Sequence, residues 1–207
     1  MKQDKLIKKY DKQVPMYVSN QENPTMSEWR RKLIREAEGK VLEVGVGVGA
    51  NFPYYDTEKV TAICGVDFSS EMLHQARRNA RNLNMNTSFI QKDIEKLEIE
   101  AESFDCIVST LTLCSYPDPL KTLNKFNNWC AKDGKVLLLE HGLSNNPLLS
   151  FTQKAINPIF LQVSGCHCKR NVLALLEESN LVVEKVERYW SGIINLIWAK
   201  PGPTIES

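Results

Sequence analysis

Carboxylates and glycines recur at strand ends in this chain in a pattern that suits a nucleoside ligand. The run Glu43-Val44-Gly45-Val46-Gly47-Val48-Gly49-Ala50-Asn51 follows the apolar Lys40-Val41-Leu42. A buried strand that opens into glycines lets backbone approach a ligand, because no Cβ intervenes and positive φ carries no penalty. The spacing Gly45-x-Gly47-x-x-Ala50 also satisfies the dinucleotide fingerprint, in which a pyrophosphate rests on a helix N-terminus. About 20 residues on, the expected distance for such a site, Cys64-Gly65-Val66-Asp67 ends a second apolar run in an acid. A carboxylate there can accept both ribose hydroxyls of an adenosine, which suits NAD and S-adenosylmethionine alike.

Three features favour S-adenosylmethionine. Glu43, two positions before the first glycine, suits the ammonium of a methionine moiety better than a pyrophosphate, which prefers neutral or basic surroundings. A further acidic strand end, Phe89-Ile90-Gln91-Lys92-Asp93-Ile94, offers a carboxylate for the adenine amino group and an Ile to pack on the ring. The chain then closes with two β-rich runs, Leu181 to Tyr189 and Ile193 to Ala199, joined tightly enough for an antiparallel hairpin.

The ordered set of these motifs, with Gly65-Val66-Asp67-Phe68-Ser69-Ser70-Glu71-Met72-Leu73, Phe104-Asp105-Cys106-Ile107-Val108-Ser109-Thr110-Leu111 and Leu139-Glu140-His141, resembles the class I S-adenosylmethionine-dependent methyltransferases. Within them it is similar to the group holding quinone C-methyltransferases, bacterial phospholipid N-methyltransferases and membrane-associated thiol methyltransferase-like proteins. The resemblance covers about residues 38 to 200. It implies that Glu43, Gly45, Gly47, Gly49 and Asn51 hold the methionine end, Asp67 the ribose, Phe68 and Met72 the adenine face, and Asp93 with Ile94 its edge. Thr110 and Leu111 would lie beside the donor. Met72 and Phe68 also have structural readings, as helix core and as a staple at a helix start.

Methyl transfer needs an in-line approach, a dry site, and a base only where the acceptor must lose a proton. His141, just past a strand at the site edge, is the candidate base; His167, Cys114, Tyr10 and Tyr17 are others. No metal is expected. Cys166-His167-Cys168 lacks Cys-x-x-Cys spacing and a second ligand pair, and Cys64, Cys106 and Cys130 read as apolar filler. An NAD(P) oxidoreductase would need nicotinamide-side groups such as a Tyr-x-x-x-Lys pair, and the sequence is read as having none. A non-catalytic cofactor-binding module fits every cofactor residue and stays open. Nucleic-acid amino-methylation is disfavoured: the tetrapeptides Asn-Pro-Pro-Tyr and Asp-Pro-Pro-Tyr do not occur, and a formal net charge of +1 offers no field for phosphates. The expected acceptor is a small or lipid-like molecule bearing a thiol, an amine head group or a quinone-type carbon.

The elements that must position these groups follow from period and punctuation. A chain of 207 residues, 43% hydrophobic and 25% charged, suits one domain spanning 1–207. Residues 1–37 carry two helical stripes, around Leu6, Ile7 and Tyr10 and around Trp29, Leu33 and Ile34, and read as a cap over the cleft; its first dozen residues, from Lys2 to Lys12, are locally basic. The remainder alternates strand 40–45, helix 49–56, strand 60–67, helix 69–83, strand 87–91, strand 104–109, helix 117–131, strand 134–140 and helix 169–179 before the hairpin. That pattern predicts an α/β fold: a Rossmann-like, seven-stranded, mostly parallel sheet with helices on both faces. Residues 142–165 form an apolar insertion that Pro147 and Pro158 should break into short pieces. It reads either as a lid over a greasy substrate or as a helix completing the core, and peripheral membrane contact stays open. No apolar run reaches spanning length and no signal peptide is evident, so a cytoplasmic location is expected.

Overall fold

The structure, a computed structural model, describes residues 3–203 except 22, 82 and 84. Lys2 of the basic start and position 82 of the expected helix 69–83 therefore lie outside the described residues. The strands are β1 (Gly39–Val44), β2 (Val60–Asp67), β3 (Thr87–Gln91), β4 (Phe104–Thr110), β5 (Cys130–His141), β6 (Leu181–Tyr189) and β7 (Ile194–Pro201). They form a seven-stranded sheet in the order β3-β2-β1-β4-β5-β7-β6. β1 to β5 pair in parallel, and β7 inserts antiparallel between β5 and β6.

The helices are α1 (Gln3–Ser19), α2 (Pro24–Ile34), α3 (Ser70–Ala80), α4 (Pro119–Trp129), α5 (Pro147–Ser164) and α6 (Val172–Glu178). Side-chain acceptors start most of them: Ser69 Oγ takes the Met72 amide, Asp118 the Lys121 amide and Asn171 the Ala174 amide. Successive strand residues feed opposite cores. Val41, Leu137 and Leu139 pack with Trp29, Leu33 and Leu73 on one face, while Leu42 and Leu138 pack with Leu123, Phe126 and Leu176 on the other. Burial on both faces explains why these strands read as continuous apolar runs.

Strand order reverses at β1, which has β2 on one side and β4 on the other. In open α/β sheets ligands bind outside the carboxyl ends of the strands at such a switch point, and the motifs of β1, β2 and β4 all end there.

Two expectations need correction. Residues 49–56 do not form a helix: Gly49 takes φ +79°, and only a 3-10 turn at Phe52–Tyr54 follows before Tyr55 returns to extended backbone. With Pro53 inside so short a stretch, too few amides remain to propagate helical bonds. The insertion 142–165, conversely, is not broken into pieces. Asn146 caps the amides of Leu148 and Leu149, Pro147 occupies the first turn, and α5 runs through Pro158 to Gly165, whose φ of +84° ends it. Asn157 is the buried residue of α5, whereas Leu148 (73% exposed), Phe151 (70%), Ile159 (67%) and Val163 (69%) stand outward, so the apolar face does not complete the core. Among the described residues no helix is long and apolar enough to cross a membrane.

Candidate functional site

The glycine loop is drawn across the end of β2 by backbone bonds. The Gly45 and Val46 amides both donate to Val66 O, at 2.8 and 3.1 Å, and the Gly49 amide donates to Val46 O at 2.9 Å. Gly45, Gly47 and Gly49 all have positive φ, yet they are glycine for different reasons. A Cβ on Gly45 would overlap the Thr112 methyl and one on Gly49 the Phe52 ring, whereas at Gly47 it would meet nothing nearer than Gly45 O at 3.9 Å. Gly47 is thus the point where backbone lies open to a ligand. Its amide donates to Asp67 Oδ2 at 3.0 Å while the Ser69 amide donates to Oδ1 at 2.9 Å, so the carboxylate is held from both sides. Burial raises the Asp67 carboxyl to about 6, against the lowering effect of the amides of Ser69, Gly47 and Phe68.

A cleft opens above this point. Gly45 to Val48 form its floor, with Asp67, Phe68, Met72 and Ile94 on one side and Thr110, Leu111 and Thr112 on the other; Tyr10, Tyr17 and Arg30 come from the N-terminal helices. Tyr10 meets Phe68 edge-on, ring centroids 5.3 Å apart. Of the expected set, Gly45, Gly47, Asp67, Phe68, Met72, Ile94, Thr110 and Leu111 line this cleft. Leu111 holds φ +58°, an uncommon conformation for a branched residue and one that clusters at functional sites.

Glu43 and Asn51 lie beneath the loop. Glu43, 1% exposed, accepts from Asn51 Nδ2 at 2.8 Å and from the Tyr55 hydroxyl at 2.9 Å. Burial raises its carboxyl to about 7, opposed by those two bonds and by the charge of Arg30. The Arg30 guanidinium donates to Asn51 Oδ1 at 2.5 Å and to Thr110 Oγ1 at 3.2 Å, and among the described residues it contacts no carboxylate. Sequence reasoning passed over Arg30. Its only signal was a place beside Trp29 on the inward face of a cap helix. Asp93 Oδ1 accepts from the Glu95 amide and starts the turn Ile94–Lys96, with Lys92 and Ile94 lining the cleft on either side of it. Glu140 was also missed, although it sits inside a quoted motif. Buried beneath the loop after β4, its Oε1 accepts from the amides of Thr112 (3.1 Å) and Leu113 (3.2 Å) and from Ser109 Oγ (3.2 Å), which fixes Leu111 and its neighbours.

His141 lies elsewhere, in a group with Cys114 and Cys166 whose ligand atoms are all within 4.8 Å of one another. Cys166 Sγ is also 3.7 Å from the Tyr10 hydroxyl. The Tyr-x-x-x-Lys spacing does occur, at Tyr55 and Lys59, contrary to the sequence reading. The Tyr55 hydroxyl is committed to Glu43 and Lys59 pairs with Asp56 at the surface, so the two do not act together at the cleft.

These contacts decide which adenosine cofactor the residues fit. The amides of Gly45, Val46, Gly47 and Gly49 already have protein acceptors, and no helix N-terminus follows the loop. A pyrophosphate would find four of the loop amides already committed, no helix dipole, and a buried acid below it. An adenosine with a zwitterionic amino-acid tail meets a held carboxylate, bare backbone at Gly47, and a guanidinium with no acid partner in contact.

Comparison with known proteins agrees. Residues 42–138 match the family model described as Methyltransferase domain. Methyltransferase OMS1, mitochondrial, of Saccharomyces cerevisiae is 29% identical over 188 residues, 83% of this chain and 40% of that protein. Phosphatidylethanolamine N-methyltransferase of Cereibacter sphaeroides is 32% identical over 120 residues, 57% of this chain and 58% of that protein. The chain therefore spans less than two thirds of either. Human Thiol S-methyltransferase TMT1B is 26% identical over 211 residues, 97% of this chain and 85% of that protein. An S-adenosylmethionine-dependent methyltransferase from Mesorhizobium loti shares the fold, with a TM-score of 0.67 at 16% identity over 87% of this chain and 99% of that one. Together these similarities support a class I S-adenosylmethionine-dependent methyltransferase, with a methyltransferase domain matched over residues 42–138.

Proposed function

We propose that the chain transfers a methyl group from S-adenosylmethionine to a thiol or amine carried by a small, lipid-like molecule. The observation that carries this reading is the cleft at the switch point, where Asp67 is held by two amides beside open backbone at Gly47 and the Arg30 guanidinium, which Asn51 and Thr110 hold in place. Bound there, the cofactor supplies a sulfonium-borne methyl group. Asp67 accepts from the ribose hydroxyls, Phe68, Met72 and Ile94 pack on the adenine, and Asp93 offers an acceptor at its edge. Arg30 holds the carboxylate of the amino-acid end, while Glu43, acting through Asn51, keeps Arg30 and the loop in place and leaves negative charge beneath the donor's cationic end. Tyr10 and Tyr17 keep water out from above.

The choice of acceptor atom rests on what the cleft lacks. Among the described residues lining it there is no histidine, and burial pushes the hydroxyls of Tyr10, Tyr17 and Tyr116 above the ordinary phenol range, so they donate rather than abstract. An acceptor that brings its own lone pair, a thiolate or a neutral amine, needs no base from the protein; a quinol carbon is the second choice. Relatives named for a thiol and for a phospholipid amine are consistent with either acceptor.

The lipid-like character is supported by α5. Its exposed Leu148, Phe151, Ile159 and Val163 make an apolar face, and its far end meets the basic helix α1, where the Lys9 ammonium donates to Gln162 O. The same α1 roofs the cleft through Tyr10 and Tyr17. An apolar face beside basic residues suits contact with an anionic membrane surface. Transfer from methyl-labelled donor to a panel of alkyl thiols, ethanolamine lipids in vesicles and quinols tests the assignment. Label in thiol or amine is the expected result, label in quinol alone moves the reading to its second choice, and donor binding without any transfer makes the chain a cofactor-binding module.

A further inference from the structure

Next to the donor cleft the fold gathers three soft ligands from distant stretches of chain. Cys114 lies in the loop after β4, His141 ends β5, and Cys166 follows the glycine that terminates α5. The backbone pins them together: the His167 amide donates to Cys114 O at 3.0 Å and the Leu143 amide to Arg170 O at 2.8 Å. The two sulfurs are 3.0 Å apart, well beyond the ~2.05 Å of a disulfide and inside ordinary contact between thiols. The sulfurs and an imidazole nitrogen are all within 4.8 Å of one another.

We propose that Cys114, His141 and Cys166 bind a thiophilic divalent cation of the zinc class. Zinc takes sulfur at ~2.3 Å and imidazole nitrogen at ~2.0–2.1 Å, which sets the edges of a tetrahedral site at about 3.5 Å; a small outward movement of one thiol admits the ion. Two sulfurs and one imidazole with no carboxylate suit zinc and reject magnesium or calcium. Cys114 is buried and Cys166 partly so, which keeps the first sulfur from bulk water and leaves the second a path for the ion. One residue from His141, Glu140 Oε2 is a buried carboxylate oxygen without a hydrogen-bond partner, and a nearby cation compensates such an oxygen. Arg170, which donates to the carbonyls of Leu113 and Tyr116, opposes the cation, and the two sulfurs must outweigh it.

Linear spacing conceals this set. Of Cys166-His167-Cys168 only Cys166 takes part: the Cys168 thiol turns to α5, donating to Gln153 O at 3.3 Å. Three protein ligands leave one coordination position for a fourth, the pattern of zinc sites that exchange a ligand. Tyr10, 3.7 Å from Cys166 Sγ, also lines the donor cleft. The ion would therefore tie α5, β5 and the loop after β4 together one side chain from the cofactor.

The test uses the full chain purified with reductant and without chelator. Elemental analysis should find one equivalent of zinc. After chelator treatment, Co2+ titration should give a thiolate-to-cobalt charge-transfer band that Cys114→Ser and Cys166→Ser each abolish and Cys168→Ser retains, with His141→Ala weakening cobalt at least about tenfold. Asp67→Ala should keep the metal while binding the donor more weakly, which separates this inference from the proposed function. Absence of both zinc and the cobalt band in wild-type chain with all six cysteines reduced would overturn the proposal. So would a Cys114–Cys166 disulfide in chain isolated without reductant, which would make the two a redox pair.

Discussion

At the scale of single residues the account turns on Asp67 and Arg30. Asp67→Ala should weaken S-adenosylhomocysteine binding by about 1.5–3 kcal/mol, the worth of charge-assisted hydrogen bonds, as read by calorimetry. Because ribose hydroxyls donate to the ionised carboxylate, and burial raises that carboxyl to about 6, affinity should climb as pH rises through about 6. Asp67→Asn should remove that climb, and a flat wild-type profile would take Asp67 out of the ribose site. In the free chain the sign reverses. Asp67, Glu43 and Glu140 have folded values near 6, 7 and 7 against ordinary values of 3.8, 4.5 and 4.5. Each contributes stability in full below its ordinary value and loses it as pH rises through the folded one, so the thermal midpoint of the unliganded chain should fall between about pH 4 and pH 7. Arg30→Ala should weaken S-adenosylhomocysteine by a similar ~1.5–3 kcal/mol but leave 5′-methylthioadenosine, which lacks the amino-acid tail, unaffected. Equal losses for both ligands would mean that Arg30 only supports the fold. Asp67 was legible because its spacing from the glycines is local to one pair of adjacent parallel strands, β1 and β2. Arg30 was not, since its neighbours show that α2 buries Trp29 and Leu33 but say nothing of where that helix docks.

At the scale of elements the glycine loop and α5 separate packing from function. Gly45→Ala should cost more stability than Gly47→Ala, because the first methyl collides with Thr112 while the second meets open space and bears only the ~1–2 kcal/mol of left-handed backbone. Donor affinity should nevertheless fall in Gly47→Ala, whose methyl occupies the floor of the cleft. Urea unfolding and calorimetry on the two variants give both numbers, and unchanged affinity in Gly47→Ala would relocate the ligand. On α5, Phe151→Ser should change stability by no more than about 0.5 kcal/mol, as for other exposed positions, while reducing co-sedimentation with anionic vesicles. Vesicle binding that is unchanged would remove the membrane-facing role. The sheet strands were legible because apolar runs bounded by turn residues leave little choice of structure. The loop at 49–56 was not: glycine, proline and asparagine side-chain bonds outweighed a helical pattern only eight positions long. The continuity of α5 through Pro158 was equally hidden, since one lost amide bond is tolerated in a helix capped well at both ends.

At the scale of the whole molecule, one reversal of strand order brings the ends of β1, β2 and β4 together, and α1 and α2 close the space above them. The order of acidic strand ends made this architecture legible, whereas contacts that join distant segments were not: Cys114 with Cys166, Tyr10 with Phe68, Glu140 with the loop after β4. The committed amides of Gly45, Val46, Gly47 and Gly49, the missing helix N-terminus and the buried Glu43 set a sulfonium donor apart from a dinucleotide. Calorimetric titration of the full chain with S-adenosylmethionine and with NAD bears on that distinction most directly. Saturable binding of S-adenosylmethionine at one site per chain, weakened in Asp67→Ala and absent for NAD, is the predicted result; NAD binding at the same site, or no binding of S-adenosylmethionine by folded protein, would contradict it.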